Sequence, residues 1–496
     1  MGTSNIILRD LSYIYPEIIL TVFILVVLVI DLIPKLSKMS LTPYVSFAGL
    51  ILTMVFALSQ IGTADKTVFY NMLVIDQFSV FFRIFLPLSS AIIVILSMVT
   101  FKKSGEYYTL ILATTLGMVL MTSSIHIASI ILSLELVGIC CYVLAGYRRS
   151  EMRASEASLK YMLYGAVSTG IMLFGFSYLY GLTGQVNLYS IRGVLLTGLF
   201  QNSTLFVAVL FILAGIGYKI AMVPFHFWCP DVYEGAPTPI TTFFSVGPKV
   251  AGIALLARFL FGGLSSQVDK GGLFWMPAGD IELPFLIAVL SAITMTVGNL
   301  AALGQKNIKR LLAYSSIAHA GYIMMGFAMF NGQGMNAILF YVIVYMFMNF
   351  GAFIVVDGIA LKLKSENIDK YNGLASRAPY MAFAMTVFLV SLTGLPPTAG
   401  FIGKMLIFAA VIESKIYWLV IIGALNAVVS LYYYFRIAKA MYLTENTSGD
   451  TSAVNVSKIH FALVTILLIP TVYFGLFWTP LREWTTFGIN FLITLK

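Results

Sequence analysis

Residues 217–249 read GYKIAMVPFHFWCPDVYEGAPTPITTFFSVGPK, and the rest of the chain can be interpreted as a frame around this stretch. It opens with Lys219 inside an apolar run, which Pro224 breaks five residues later. A short loop that contains prolines follows, and the next apolar run carries Lys249. A lysine at the centre of a membrane helix costs ~2.5–3.5 kcal/mol on insertion scales, and such residues usually mark functional sites. The two lysines are therefore the first candidate site residues.

The composition indicates a membrane protein. Of the 496 residues, 59% are hydrophobic and 10% are charged, whereas a soluble domain is about 25% charged. Apolar runs of about 20 residues recur along the whole length, which is the length of a transmembrane helix. Strands of a membrane barrel would be shorter and would alternate in polarity. The sequence therefore predicts an all-α polytopic membrane protein.

The apolar runs predict about fourteen transmembrane helices in a single membrane domain, 1–496, because no loop is long enough to form a separate domain. The predicted spans are 13–33, 42–63, 74–100, 107–123, 124–146, 157–183, 203–229, 238–264, 282–304, 311–331, 334–363, 380–413, 415–441 and 459–481. Cys140, Cys141 and Cys229 have neither metal-ligand spacing nor a disulfide pattern, and we expect all three to be buried. Nucleotide, haem and iron–sulfur motifs are absent from the sequence, so we expect no cofactor in this chain.

Basic residues are unevenly divided between the loops. The loops that follow odd-numbered spans hold most of the loop lysines and arginines, among them Lys102, Lys103 and Arg148. Because basic loops stay on the cytoplasmic side, we expect these loops to face the cytoplasm and both termini to face outward. The loop after span 7 departs from this pattern, since it carries Asp231 and Glu234 and no basic residue.

Two spans are predicted to be broken. Span 7 contains Pro224, and span 12 contains Pro396 and Pro397 within SLTGLPPTAGFIGK at 391–404. Irregular backbone at membrane depth survives only where protein or a watery cavity satisfies its polar groups. Broken helices at corresponding places in two halves are typical of transporters that are built from inverted repeats.

The two broken spans lie five apart, and each carries a lysine, Lys219 in span 7 and Lys404 in span 12. A repeat of five helices necessarily inverts its topology in the membrane. We therefore predict two inverted five-helix repeats, with spans 4–8 at 107–264 and spans 9–13 at 282–441.

Glu135 lies in the middle of span 5, where a carboxylate needs a partner or a proton. If it pairs with Lys219, each charge stabilises the other, while desolvation favours both neutral forms. Loss of the pair would then release the lysine proton, which is the physical basis of a proton relay. A static ion pair that fixes helix packing is the alternative. One such pair would suffice for packing, so the further buried lysines Lys249 and Lys404 favour the relay.

His319 lies in AYSSIAHAGY at 313–322, and it could either carry a proton between lysines or serve as a hydrogen-bonded packing residue. The polar neighbours that could hold water beside it are Tyr314, Ser315, Ser316 and Tyr322.

Further polar residues have more ordinary interpretations. Asp357, near the inner end of span 11, could face a cytoplasmic access route or the membrane interface. His460 is expected near an interface, without a specific role. Arg258 is expected to extend its charge to the membrane surface, as long basic side chains do. The tyrosines at 432–434 are expected to form an interfacial belt.

Four stretches resemble motifs of one family: PFHFWCPDVYEGAPTP at 224–239, SVGPKVAG at 245–252, RLLAYSSIAHAGY at 310–322 and GLPPTAGFIGK at 394–404. Together they resemble the antiporter-like membrane subunits of complex I, the proton-translocating NADH:quinone oxidoreductase. The resemblance is to the N type in particular, which is the counterpart of mitochondrial and plastid subunit 2. It extends over nearly the whole chain and implies fourteen helices with two inverted five-helix repeats.

The resemblance also implies residue roles. The fifth-helix glutamate falls on Glu135, which would couple to a neighbouring subunit, and the seventh-helix lysine falls on Lys219, which would respond to it. The eighth-helix lysine falls on Lys249, at the centre, and the twelfth-helix lysine falls on Lys404, towards the outer exit. His319 is the candidate relay residue between lysines. The sister subunits resemble one another in having a glutamate, or a lysine flanked by aspartate, at this twelfth-helix position. Lys404 after GFIG therefore favours the N type.

The implied function is proton conduction within a respiratory or photosynthetic complex. The implied location is the bacterial inner (plasma) membrane, or else a thylakoid or other energy-transducing membrane. The expected partners are the neighbouring M-type and small K-type subunits and lipids, with no nucleic acid. Flavin, iron–sulfur clusters and quinone would be bound elsewhere in the complex. Two other hypotheses stay open, namely a multisubunit sodium/proton antiporter subunit and a non-conducting spacer.

Overall fold

The computed structural model of the chain describes residues 9–101, 104–198, 200–268, 274–279, 281–445 and 452–489. The basic residues Lys102 and Lys103, and the two chain ends, lie outside the described residues. The helices are α1 (Tyr15–Leu32), α2 (Pro34–Ser37), α3 (Thr42–Leu58), α4 (Gln77–Ser97), α5 (Gly105–Ser123), α6 (Ile127–Ala145), α7 (Met152–Thr183), α8 (Leu188–Leu195), α9 (Asn202–Ile220), α10 (Trp228–Gly235), α11 (Thr238–Ala257), α12 (Leu283–Leu303), α13 (Ile308–Phe327), α14 (Gly332–Leu363), α15 (Leu374–Arg377), α16 (Pro379–Thr393), α17 (Ala399–Glu413), α18 (Tyr417–Leu443), α19 (Lys458–Leu476) and α20 (Thr479–Phe487). A π-helical turn at Arg258–Gly263 extends α11, and a 3-10 turn forms at Ile368–Tyr371.

Within the described ranges, two short antiparallel strand pairs accompany the helices. In the first, β1 (Lys66–Val68) pairs with β2 (Leu73–Ile75), with Lys66 opposite Ile75. In the second, β3 (Ser265–Gln267) pairs with β4 (Trp275–Pro277), with Ser265 opposite Pro277.

Within the described ranges, ten helices are long and apolar enough to cross a membrane. Helices α3 and α16 are shorter apolar helices. The prediction of a polytopic all-α membrane protein is confirmed. The count of fourteen spans and the two inverted repeats stay predictions.

Both predicted helix breaks are present. Helix α9 ends at Ile220, followed by Ala221 in the left-handed region at φ 59°, and the chain becomes helical again at α10. Helix α16 ends at Thr393, followed by Gly394 at φ 85°, and α17 begins at Ala399. The two halves of the second break approach closely, since a Cβ on Gly400 would lie 1.9 Å from the Ser391 carbonyl oxygen. Only glycine fits at this contact between α16 and α17.

Helices α11 and α14 form the centre of the molecule, since nearly all of their residues are buried, including the polar ones. Helix α11 packs against α14, α4, α5 and α9, and α14 also packs against α13, α16, α17 and α19. Helices α1 and α18 instead expose much of their apolar surface, as expected of helices that face lipid or another subunit. Polar side chains on α11 and α14 therefore lie in the interior.

Arg258 does not extend to the membrane surface, so that prediction was wrong. Its guanidinium is buried and binds both carboxylate oxygens of Asp76, at 2.5 and 2.6 Å, and the Thr122 carbonyl oxygen at 2.9 Å. A second arginine, Arg83, is fully buried and binds Glu17 at 2.6 Å. Buried arginines need such partners, because an unpaired charge in the interior is very costly.

Candidate functional site

Lys219 lies in the last turn of α9, and its side chain is buried. Its ammonium has no hydrogen-bond partner among the residues that the structure describes. The stem packs against α11, where a Cβ on Gly252 would lie 3.3 Å from the Lys219 Cβ and Cγ atoms. Glycine at this position lets α9 approach α11, and the Lys219 stem packs there one helical turn beyond the position of Lys249 in α11.

Glu135 is half-buried on α6. No hydrogen bond joins it to Lys219, although the two are close enough to interact electrostatically. The ion pair considered from the sequence is therefore open in this structure. Leu132 and Ile139, which lie on the same side of α6, are 68% and 58% exposed. Glu135 thus borders a face that is directed towards lipid or another subunit.

Lys249 lies on α11 and is buried. Its ammonium donates a hydrogen bond to the Ser316 hydroxyl on α13 and lies 3.6 Å from the Cys229 sulfur. The same nitrogen is 5.3 Å from the ring centroid of Tyr233. These partners are a hydroxyl, a thiol and an aromatic ring, none of which carries the full charge of a carboxylate.

His319 lies on α13 between two tyrosines. Its Nδ1 is 2.7 Å from the Tyr341 hydroxyl on α14, and its Nε2 is 3.3 Å from the Tyr434 hydroxyl on α18. The Tyr434 hydroxyl also bonds to Ser315. Both imidazole nitrogens therefore face hydroxyls that can give or take a proton.

The tyrosines at 432–434 do not form the predicted interfacial belt. Tyr432 is 66% exposed, but Tyr433 and Tyr434 are buried. The Tyr433 hydroxyl donates to the Asn299 side chain at 2.9 Å. Consecutive residues on a helix point in directions about 100° apart, so two of the three face the interior. Tyr341 and Tyr434 were missed as site residues, because their sequence surroundings are ordinary apolar helix.

Lys404 is buried on α17 and donates to the carbonyl oxygens of Leu392 and Thr393 at the end of α16, at 3.1 and 2.8 Å. Its ammonium also lies 4.5 Å from the ring centroid of Tyr322 on α13. The C-terminal end of a helix carries a partial negative charge, which favours a cation there.

Helix α13 links two of the lysines. Ser316, His319 and Tyr322 recur every three residues, which puts them on one side of the helix, over a length of about 9 Å. Ser316 contacts Lys249 at one end, and Tyr322 contacts Lys404 at the other. The structure thus connects Lys249, His319 and Lys404 through one side of α13, whereas Lys219 contacts α11 at Gly252 and Glu135 is half-buried on α6.

The acidic loop after the first break is neutralised by other segments. Asp231 on α10 accepts hydrogen bonds from Lys160 at 2.7 Å and from Arg310 at 2.6 Å, and Arg310 also pairs with Glu234 at 3.1 Å. Burial raises the pKa of Asp231, but the hydrogen bonds from Lys160 and Arg310 outweigh it, so the net pKa is below the ordinary 3.8. This explains why a loop with two acids and no base lies among basic segments.

The remaining chemistry of the described part is sparse. The three cysteines are buried, as predicted, and none of them is bonded to another. Within the described ranges, no group of three or more His, Cys, Asp and Glu side chains is placed to hold a metal ion.

Comparison with known proteins identifies relatives. Residues 124–430 match the family model described as NADH:quinone oxidoreductase/Mrp antiporter, TM. Subunit N 2 of NADH-quinone oxidoreductase from Chloroherpeton thalassium is 45% identical over 475 residues, covering 94% of this chain and 92% of the relative. A chain of respiratory complex I from Thermus thermophilus has a TM-score of 0.78 and 29% identity, covering 94% of this chain and 98% of that chain. A chain of the Mrp complex from Dietzia sp. has a TM-score of 0.82 at 19% identity, covering 98% of both chains, and so shares the fold.

Proposed function

This chain belongs to the NADH:quinone oxidoreductase/Mrp antiporter family, as an N-type membrane subunit of NADH-quinone oxidoreductase, and we propose that it conducts protons along Lys249, His319 and Lys404. The driving energy would come from quinone reduction elsewhere in the complex. The observation that carries this proposal is the row of Ser316, His319 and Tyr322 on α13, which joins two buried lysines.

Each group in this row has proton-transfer chemistry. An amine, a hydroxyl and an imidazole can each both release and accept a proton. Ionisable groups inside a membrane usually line ion pathways, because their cost is otherwise not compensated. Among the residues that the structure describes, no carboxylate forms an ion pair with Lys249 or Lys404 that would hold its proton permanently. The row is therefore suited to exchange protons rather than to fix helices.

Glu135 and Lys219 would control the loading of this row. Glu135 and Lys219 would alternate between two states, one in which they are apart, as in this structure, and one in which they form an ion pair. Formation of the pair would add the Coulombic attraction between the two charges. A change of charge in a neighbouring subunit could move Glu135, since it borders an exposed face of α6. Lys219 would transmit the change to Lys249 through α11, which the Lys219 stem contacts at Gly252, one helical turn from Lys249.

We propose the same partners and location that the family implies. The M-type and small K-type subunits would be neighbours, and lipid would cover the remaining apolar faces. Flavin, iron–sulfur clusters and quinone would be held by other subunits. The chain would lie in the bacterial inner membrane, or another energy-transducing membrane, with both termini outward. Within it, 107–264 and 282–441 would be the two inverted repeats.

The test is proton pumping by the assembled complex in sealed vesicles. We expect Lys219→Ala and Lys249→Ala to abolish most of the proton uptake per quinone reduced, while complex assembly is retained. Lys415→Ala is the matched control, because Lys415 is exposed between α17 and α18. Full pumping by both site variants would refute conduction and indicate a spacer.

Purification of the native chain distinguishes a complex I subunit from a subunit of a sodium/proton antiporter. We expect the native chain to migrate, in mild detergent, with an assembly that carries flavin or iron–sulfur absorbance. Migration with small hydrophobic subunits alone, without a chromophore, would instead favour the sodium/proton antiporter. The 45% identity to a subunit N of NADH-quinone oxidoreductase, against 19% identity to the Mrp chain, supports the first outcome.

A further inference from the structure

A polar cavity of about 310 Å³ opens between the first break and the inner end of α14. It is lined by charged residues from several segments that the sequence places on the cytoplasmic side, including Arg148, Glu234, Lys309 and Glu366, and by Asp357. Lys309 is buried, binds Glu366 at 2.9 Å and donates to the Ala236 carbonyl oxygen at 2.8 Å. The cavity is therefore a charged recess that reaches into the helical bundle.

Asp357 joins this cavity to a buried histidine. Its Oδ2 lies 2.8 Å from Nε2 of His460 on α19, and Nδ1 of His460 lies 2.7 Å from the Ser457 hydroxyl. Asp357 is 3% exposed and His460 is 1% exposed, whereas Ser457 is only half-buried. Gly358 leaves room for the imidazole, since a Cβ there would lie 3.0 Å from its Cδ2 atom. The pair is thus a buried acid and base at the wall of a polar recess.

Helix α14 connects Asp357 to the surroundings of Lys249, on the side of Asp357 that faces away from the cavity. Asn349, Phe353 and Asp357 are spaced four residues apart on α14 and share one side of it. Asn349 donates to Ser245 on α11 at 2.7 Å, one turn before Lys249. Phe353 lies between these two polar positions and packs against Tyr233, with ring centroids 6.1 Å apart. Tyr233 in turn faces the Lys249 ammonium.

We propose that Asp357 and His460 form a proton-loading site at the base of this cavity, and that the Phe353 ring separates the loaded site from Lys249. The inference rests on the proposed proton conduction. A proton that enters from the cavity binds to the imidazole, and the Asp357 carboxylate stabilises the resulting imidazolium. Movement of the Phe353 ring then lets the proton pass towards Lys249, and the pair returns to its neutral imidazole and carboxylate.

Other titratable and charged groups surround this pair. Helix α5 contributes Tyr107, whose hydroxyl bonds to Ser97 at 2.8 Å. The groups that face Asp357 or line the same cavity are Tyr107, Arg148, Glu151, Arg153, Glu234, Lys309, Lys364, Glu366 and Tyr371. Lys309 and Glu366 neutralise each other, since their side chains lie 2.9 Å apart.

The first test uses Asp357→Asn and His460→Gln in the complete complex, in vesicles whose cavity side is at controlled pH. Both variants keep hydrogen-bonding capacity but lose the ability to hold a proton. We expect proton uptake per quinone reduced to fall roughly tenfold or more at alkaline pH, where protons are scarce. Asp357→Glu should restore uptake, because it returns the carboxylate. A structural tie between α14 and α19 would instead give a loss that does not depend on pH.

The second test uses Phe353→Ala and measures passive proton conductance through the inhibited complex. We expect conductance to rise clearly, and the rise to disappear in the double variant Phe353→Ala with Asp357→Asn. Phe340→Ala is the matched control, since Phe340 is equally buried and lies thirteen residues earlier on α14, on another side of the helix. An equal leak from both single variants would overturn the assignment of Phe353.

The outcomes distinguish this inference from the proposed function. If Lys249→Ala stops pumping while Asp357→Asn pumps like the native complex at every pH, the loading site is refuted and proton conduction stands. If Lys249→Ala pumps fully, proton conduction is refuted, and the loading site is refuted as well because it depends on that conduction.

Discussion

Lys404 donates a hydrogen bond to the carbonyl oxygen of Thr393 at 2.8 Å, across the break between α17 and α16. The last carbonyls of a helix have no partner within it, and they carry the partial negative charge of the helix end. The broken span therefore supplies, from its own backbone, a site for a buried cation. This explains how a lysine can be held in the membrane interior without a carboxylate beside it.

Replacement of Lys404 by Met should stop pumping and should also loosen the break. Two buried carbonyl oxygens would lose their donor, at a cost of about 1–3 kcal/mol each if left unsatisfied. We expect proton uptake to be lost and thermal unfolding to occur at a lower temperature. Lys415→Met, at an exposed position, should change neither. Normal uptake by Lys404→Met would remove Lys404 from the conducting line.

Replacement of Ser316 by Ala should slow proton transfer from Lys249 without unfolding the protein. The variant removes the hydroxyl that accepts the Lys249 hydrogen bond, while the alanine fits the helix well. We expect pumping to fall roughly tenfold or more, the scale of a lost proton-transfer group. The control is Ser89→Ala, a buried serine whose hydroxyl donates to the Leu86 carbonyl oxygen of its own helix, α4, at 2.7 Å. Equal pumping by the two variants would argue against a role for Ser316.

Replacement of Arg258 by Leu should destabilise the protein strongly. It leaves the buried Asp76 carboxylate without its principal cation, and breaking a buried pair from one side costs about 3–5 kcal/mol. The double variant Arg258→Leu with Asp76→Asn should recover part of that loss, because no charge remains buried. Arg148→Leu removes a partly exposed pair with Glu151, and it should cost about 1 kcal/mol or less. The free energy of unfolding of the three variants is measured by unfolding them in detergent and following tryptophan fluorescence.

The cluster around Asp231 should make stability depend on pH at the acid end. The pKa of Asp231 in the folded chain is lower than its ordinary value of 3.8, so the folded state favours the charged carboxylate. The stabilisation is fully present above that value, and it is lost as pH falls through the lower folded pKa. We expect Asp231→Asn to be less stable than the native chain at pH 7, with the difference disappearing at strongly acid pH. A difference that stays constant over this range would contradict the ion-pair explanation.

The sequence predicted the fold class and the lysines because both depend on strong one-dimensional signals. An apolar run of membrane length admits few structures other than a helix. A lysine or glutamate inside such a run stands out against its neighbours, as Lys219, Lys249, Lys404 and Glu135 do. Proline and glycine at 394–404 likewise predicted a break, because backbone preferences act locally.

The sequence could not predict which of these residues meet. Tyr341 and Tyr434 approach His319 from helices that are distant along the chain, and their own segments look like ordinary packing surface. Arg258 was predicted to reach the membrane surface because its partner Asp76 lies 182 residues away in sequence. Asp357 and His460 were assigned separate and minor places, although they form one buried pair.

The sequence by itself thus determined the membrane environment, the helical class, the breaks and the buried lysines, since each follows from the cost of polar groups in an apolar medium. Only the tertiary structure decided which side of each helix faces inward and which charges share a partner. It placed Lys249 and Lys404 at the two ends of one row on α13 and left Glu135 apart from Lys219. Those distances depend on how α9, α11, α13 and α17 pack, which is set by contacts between distant segments such as the one at Gly252.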